Sequence, residues 1–246
     1  MTDQANHAEN TIPLAGTDCQ VEKRRHACYA EPFGGPDGRV RRPNRLHEEQ
    51  NEESIMRVLG VSGSPRQGGN TDILIHKALD VLAAEGIETE FVSLADRPIK
   101  PCMACRGCVK ADTIRCVQYD PAFEGMIGKF EAADGILIGS PVYFGSATPQ
   151  IMALLDRVGY VARVHPELLR RKVGAAIVVA RRAGQNFTFA QLNYFFLISE
   201  MIVPGSTYWN VAVGREKGEV ENDKEGIDTV VNLGHNMAWL LKKLKS

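Results

Sequence analysis

The chain has 246 residues, 44% of them apolar, which is ordinary for a soluble globular protein and enough for one large domain or two small ones. A formal net charge of −1 gives no overall basic field for nucleic acid or an anionic membrane surface, and no run approaches the roughly 18 apolar residues of a membrane span. The N-terminus lacks an apolar signal-peptide core, so a cytoplasmic protein is expected, whose six cysteines sit in a reducing compartment.

Residues 1–55 differ in kind from the rest. They are polar and charged, carry Gly-Gly-Pro and Arg-Arg-Pro-Asn breaks, and show no helix or strand periodicity, so a disordered extension is expected there. His7, Cys19, His26, Cys28 and His47 match no compact ligand spacing. Met56-Arg57-Val58 opens the first strand cleanly, and Glu52 and Glu53 can be encoded by purine-only codons of the ribosome-binding kind. Met56 is therefore a candidate start of translation, with the preceding residues dispensable.

From Met56 onward the pattern alternates. Val58, Leu59, Gly60 and Val61 form a short branched run bounded by turn formers, which reads as a buried strand. Ser62 to Thr71 (S-G-S-P-R-Q-G-G-N-T) follows, then a helix with Ile73, Leu74, Ala78, Val81 and Leu82 on one face. A polar glycine loop between strand and helix can turn its N–H groups and hydroxyls around an anion at the helix N-terminus, and phosphate is the natural candidate. Neither G-x-G-x-x-G nor a Walker ending is present, and a plain turn with Thr71 as N-cap is the alternative.

The second strand is expected over Thr89–Leu94, followed by a cysteine loop and a helix over Pro121–Ala132. Cys102, Cys105, Cys108 and Cys116 stand as C-x2-C-x2-C-x7-C, with Gly107 letting the backbone bend close to the sulfurs. Two consecutive two-residue spacings wrap three thiolates around one centre, as ferredoxin-type segments hold the iron of a [4Fe-4S] cluster. Zinc fits less well, since its sites usually pair two separated C-x2-C units, and redox-active or inert thiols are the third reading.

Gly135–Gly139 reads as the third strand, Pro149–Val158 as a helix, Val173–Ala180 as the fourth strand and Asn186–Met201 as the fourth helix. Ile202–Val213, interrupted by Pro204-Gly205, is the fifth strand. Gly226–Leu244 closes the chain, its Ile227, Val230, Val231, Gly234, Met237, Ala238 and Leu241 recurring at helical spacing. Trp239 is expected in the core. Five strands alternating with five helices predict an α/β, doubly wound, five-stranded parallel sheet; in the order 2-1-3-4-5 its ligand crevice lies at the carboxyl ends of the first and third strands.

That rule makes the loop after the third strand a second test. Ser140–Ser146 carries Pro141, Val142, Tyr143, Phe144 and Gly145, a proline-stiffened backbone with two rings that suits the edge and face of an isoalloxazine, although two aromatics here could equally be core. Ala180 to Gln185, with Arg181, Arg182 and Gly184, lies at the same end of the sheet and offers positive charge to a flavin, if its arginines are not simply solvated.

The G-S-P-R-x-G-G-N-T loop, the compact cysteine motif and the P-V-Y-F-G loop, in this order, resemble the iron-sulfur flavoproteins, a branch of the NADPH-dependent FMN reductase-like group. The resemblance covers Met56 to the C-terminus. It implies a flavodoxin-like fold with FMN held by the first and third loops and a cluster on the four cysteines. By that resemblance Ser64, Arg66, Asn70 and Thr71 would hold the phosphate and Pro141 to Gly145 the ring; Gly69, Arg182 and Gly184 are further cofactor-binding candidates from the position of their loops. It also implies homodimers or homotetramers, and NAD(P)H or a ferredoxin as redox partner. The seven-residue gap before Cys116 is at the long end of the family's range.

The expected function is thus electron transfer by FMN coupled to a [4Fe-4S] cluster, with no side chain acting as acid, base or nucleophile. One alternative is an NAD(P)H-dependent FMN or quinone reductase whose cysteines are structural. Another, of a different class, is a cysteine-based redox or metal sensor without flavin, which would have no use for an intact Pro141–Gly145 loop.

Overall fold

The computed structural model describes residues 55–246; the expected N-terminal extension lies outside the described residues. The five expected strands all form: β1 (Arg57–Ser62), β2 (Glu88–Ser93), β3 (Gly135–Pro141), β4 (Val173–Ala180) and β5 (Val211–Val213). Every pairing is parallel, in the order β2-β1-β3-β4-β5. The central strands are apolar because both faces are covered: β4 (V-G-A-A-I-V-V-A) is buried along its whole length. The edge strand β2 alternates instead, exposing Glu88 and Glu90.

Alternation divides each strand between two cores. On one side Val58, Leu137, Ala175 and Ile177 meet α1 (Asn70–Ala84) and α5 (Lys224–Lys245). On the other, Leu59, Ile136, Ile138, Ala176 and Val178 meet α2 (Met126–Ala132), α3 (Pro149–Val164) and α4 (Gln185–Ile198). Gly234 lets α5 lie close on α1, since a Cβ there would stand 2.9 Å from Val81 Cβ and 3.1 Å from Ala78 O.

Four expectations need correction. The helix expected from Pro121 begins only at Met126, after a turn in which Asp120 Oδ1 accepts the Ala122 N–H, and α3 runs to Val164 rather than Val158. The fifth strand is much shorter than Ile202–Val213: Ile202 makes one isolated parallel bridge to Val173, and pairing resumes only at Val211. Proline cannot donate to a ladder, so the Pro204-Gly205 interruption separates the two. Trp239 is not core but 63% exposed, because the buried stripe of α5 runs through Val230, Leu233, Met237, Ala238 and Leu241 and leaves it on the opposite side.

Lys172 reaches from the start of β4 to the end of α2, donating to Phe130 O (2.7 Å) and Glu131 O (2.5 Å). Burial pushes its amine down from 10.5 to about 8, against the pull of Asp134 and Glu131. Between about pH 8 and 10.5 the unfolded chain holds this proton and the folded chain does not, so the Lys172 contribution to stability rises with pH across that window. The urea unfolding free energy of the wild type minus that of Lys172→Met should therefore grow from pH 8 to pH 10. A flat or falling difference would contradict the assignment.

Candidate functional site

The loop after β1 is held from beneath by a buried carboxylate. Asp72, in the first turn of α1, accepts Ser62 Oγ–H at 2.5 Å and the Gly68 N–H at 2.8 Å. Ser62 Oγ in turn accepts the Ser64 N–H (3.3 Å), and Ser64 Oγ accepts the Arg66 N–H (3.1 Å). Gly69 caps the helix where there is no room for a side chain: a Cβ would stand 2.9 Å from Arg66 O. The result is a tight polar turn at the N-terminus of α1, where backbone N–H groups and the helix dipole favour an anion.

α3 begins on the same platform. Thr148 Oγ1 donates to Gly63 O (2.6 Å) and caps the helix by accepting the Ile151 N–H, while the Thr148 N–H donates to Ser140 Oγ (3.0 Å). The loops after β1 and β3 are thereby fastened to each other through one helix end. Tyr143 and Ser146 exchange backbone hydrogen bonds across a turn whose tip, Phe144 and Gly145, has φ of 52° and 81°. Gln191 of α4 accepts from Ser146 Oγ and the Ala147 N–H, and so fixes the far end of the turn.

Between these loops lies a cavity of about 370 Å³. Ser64, Arg66, Asn70 and Thr71 line one end; Pro141, Val142 and Tyr143 line another. Val179 and Arg181 at the end of β4 and Gly214, Arg215 and Glu216 after β5 complete it. Its size suits a small-molecule cofactor. Three arginines against one glutamate give it a positive lining.

The cysteine loop lies between β2 and α2. All four cysteines are free thiols: Cys105 exposed, Cys108 buried, Cys102 and Cys116 between. Ala104 and Arg106 take left-handed φ of 50° and 56°, winding the chain tightly around the C-x2-C-x2-C segment, and the Ala104 N–H points to Cys102 Sγ at 3.4 Å. A Cβ at Gly107 would collide with Val117 Cγ2 at 2.1 Å, so only glycine lets the two arms of the loop close. Burial pushes the Cys108 thiol up, and the neighbouring Cys116, Cys102 and Cys105 push it further in the same direction. Among the described residues no three His, Cys, Asp or Glu side chains converge on a single metal ion; the four thiols are instead spread around the loop, a donor set of the kind that holds a cluster by separate sulfurs.

A model of the NADPH-dependent FMN reductase family matches residues 56–216. The chain belongs to that family. Within it, an iron-sulfur flavoprotein of Methanocaldococcus jannaschii is 42% identical over 202 residues, covering 77% of this chain and 100% of that protein. An iron-sulfur flavoprotein of Methanosarcina thermophila is 34% identical over 198 residues, covering 77% and 97%. These relatives put the chain in the iron-sulfur flavoprotein branch, and it is an oxidoreductase of the FMN reductase family. The fold is shared with a flavone reductase (TM-score 0.58, 21% identity, 77% of this chain and 64% of that one) and with a flavodoxin from the domain Archaea (TM-score 0.52, 13% identity, 76% and 99%).

In this member of the FMN reductase family the expected cofactor residues are only partly brought together. Ser64, Arg66, Thr71, Pro141, Val142 and Tyr143 line the cavity. Asn70 lines it too, but its carboxamide is already engaged: Nδ2 donates to Glu216 O (2.8 Å), and Oδ1 accepts the Gly218 N–H (2.8 Å). Asn70 therefore clamps the loop after β5 onto the loop after β1, assisted by Arg66 Nη1 to Arg215 O and Lys217 Nζ to Gln67 O. Gly69, Phe144, Gly145, Arg182 and Gly184 do not line the cavity. Phe144 at the turn tip is fully exposed, Gly184 packs under Gly145, and Arg182 faces the neighbouring recess with Asn222 and Asp223. The walls that sequence reasoning missed are Pro65, Val179, Gly214, Arg215 and Glu216; applying the crevice rule to the ends of the fourth and fifth strands would have pointed to the last four.

Asn70→Ala removes the clamp and leaves the helix start intact. Hydrogen exchange at Gly218 and Val220 should accelerate by at least about tenfold, the equivalent of 1.4 kcal/mol, while that at Leu74 and Ile75 stays unchanged. Unaltered exchange at Gly218 would rule the clamp out.

Proposed function

We propose that the chain is an electron-transfer flavoprotein that holds FMN in the crevice cavity and a [4Fe-4S] cluster on Cys102, Cys105, Cys108 and Cys116. The observation that carries this reading is the position of α3. Its first turn is bonded to the loops after β1 and β3, and Arg157, about 13 Å of helix rise further along, is bonded to the cysteine loop. One rigid element thus spans both candidate centres. Bound FMN supplies two-electron chemistry at its ring, and an iron-sulfur cluster supplies single-electron transfer.

The protein's own part is binding and orientation. Ser64, Arg66, Thr71 and the N–H groups at the start of α1 would hold the phosphate, Pro141, Val142 and Tyr143 would pack on the ring, and Arg181 and Arg215 offer it positive charge. NAD(P)H or a ferredoxin is the proposed redox partner. Assembly of two or four copies fits the apolar surface around α4, where Phe187, Tyr194, Leu197 and Ile198 are exposed. Sedimentation of the purified protein at a single-chain mass would argue against it.

The test is an anaerobic reductive titration of the purified protein. The flavin band should bleach, and a broad absorbance beneath it should fall in a separate one-electron step. Absence of flavin from protein supplied with FMN would overturn the reading. A second reading, an NAD(P)H-dependent flavin or quinone reductase with structural cysteines, is favoured by the match to the NADPH-dependent FMN reductase family model, whose description names no cluster. It requires the flavin step alone.

A further inference from the structure

Arg157 is the largest fully buried side chain among the described residues, 1% exposed, in the middle of α3. Its guanidinium donates to Asp120 Oδ2 (2.5 Å), Gln118 O (2.9 Å) and Lys100 O (3.4 Å), and lies over the Phe123 ring with Cζ 3.7 Å from the centroid. Its Nη2 also donates to Cys116 Sγ at 3.5 Å. Lys100 stands just before the cysteine motif and Gln118 just after it, so one side chain ties together both ends of the loop and touches its last sulfur.

Burying an ion pair is a poor way to gain stability, because the desolvation of both charges offsets most of their attraction. Asp120 is well served: burial raises its carboxyl, but the Lys100 N–H, the Arg157 guanidinium and the Ala122 N–H outweigh this and hold it below the usual carboxylate range. Arg157 is served less well, since its Nε has no hydrogen-bond partner among the described residues. A cation bought at this cost, pointed at a thiol, calls for a role beyond holding the fold. Hydrogen bonds to ligand sulfurs orient metal ligands and favour the more negative, reduced state of a cluster.

We propose that Arg157 is a positioning residue that fixes Cys116 as the fourth ligand of the cysteine loop and raises the reduction potential of the cluster held there. The proposal rests on the reading that the loop carries a cluster. It also accounts for the long spacing before Cys116: the seven intervening residues do not place that sulfur themselves, because α3 does. Lysine would not substitute, having one compact ammonium where the site uses a planar fork to reach a carboxylate, a carbonyl and a sulfur together.

The test compares anaerobically purified wild type with Arg157→Met and Arg157→Lys, measuring iron and FMN content, cluster potential, and hydrogen exchange over residues 98–122. FMN should remain in both variants. Arg157→Met should either lose iron or keep it with reduction disfavoured about tenfold, a shift of about 59 mV to more negative potential for one electron. Its 98–122 amides should exchange at least tenfold faster, with β3 and β4 unchanged. Arg157→Lys, which keeps the charge and is the safer fold, should move in the same direction by less. Unchanged potential and unchanged exchange in both variants would overturn the proposal. If the wild type itself holds no iron, the electron-transfer reading fails separately, and exchange over 98–122 still decides whether Arg157 fixes the loop: slow exchange retained in Arg157→Met would overturn that too.

Discussion

Anaerobically purified protein is expected to carry about four iron and four sulfide per chain, and Cys102→Ala, Cys105→Ala, Cys108→Ala and Cys116→Ala should each abolish or convert that content. A cubane iron without its thiolate is labile, so the effect of any one change should approach that of all four. FMN should stay bound in every variant, because Ser64, Thr71 and the Pro141 to Tyr143 segment belong to other loops. Cys108 is the sharpest case. It is buried among Leu94, Ile99 and Phe123 in the core cluster beneath the loop, so its replacement removes a ligand without opening the surface. Iron near zero under strict anaerobiosis, with one zinc per chain or no metal at all, would leave the plain reductase as the better account.

Asp72→Ala should weaken FMN binding by about 10- to 100-fold. The carboxylate is not among the residues lining the cavity; it accepts the Ser62 hydroxyl and the Gly68 N–H and so sets the shape of the turn proposed to face the phosphate. Hydrogen bonds to a charged partner are worth about 1.5–3 kcal/mol, and removing the acceptor leaves two inward donors with nothing to bond. Loss of a negative charge near a phosphate acts the other way. That relief is small, because both carboxylate oxygens are already engaged by donors of the loop. Asp72→Asn keeps an acceptor and should recover much of the affinity. Equilibrium dialysis or flavin fluorescence quenching measures the difference, and equal dissociation constants for wild type and Asp72→Ala would show that the turn keeps its shape without the carboxylate.

Local features of the chain made the fold legible. Buried strands such as Val173–Ala180 announce themselves by unbroken branched and small residues, and α5 by its regular apolar spacing. Where local signals compete, the reading slipped. Pro121 suits a helix start, yet the Asp120 carboxylate forms a turn with Ala122 and delays α2 to Met126. Trp239 is apolar enough for a core but stands off the buried stripe, a matter of angle around the helix rather than of composition.

For the site, the sequence by itself determined the two loops at the ends of β1 and β3 and the four cysteines between β2 and α2, because backbone-level features, glycines, a proline, and thiols at fixed spacing, are written in consecutive residues. Only the tertiary structure decided which side chains hold those loops in place. Asn70 is bonded to residues 216–220, Asp72 to Ser62 and Gly68, and Arg157 to a loop that ends some 40 positions earlier. Those pairings depend on how the strand order brings distant loops to one edge of the sheet and on which face of α3 turns toward the cysteines. A side chain's partner across the fold is set by packing, which leaves no local spacing to read.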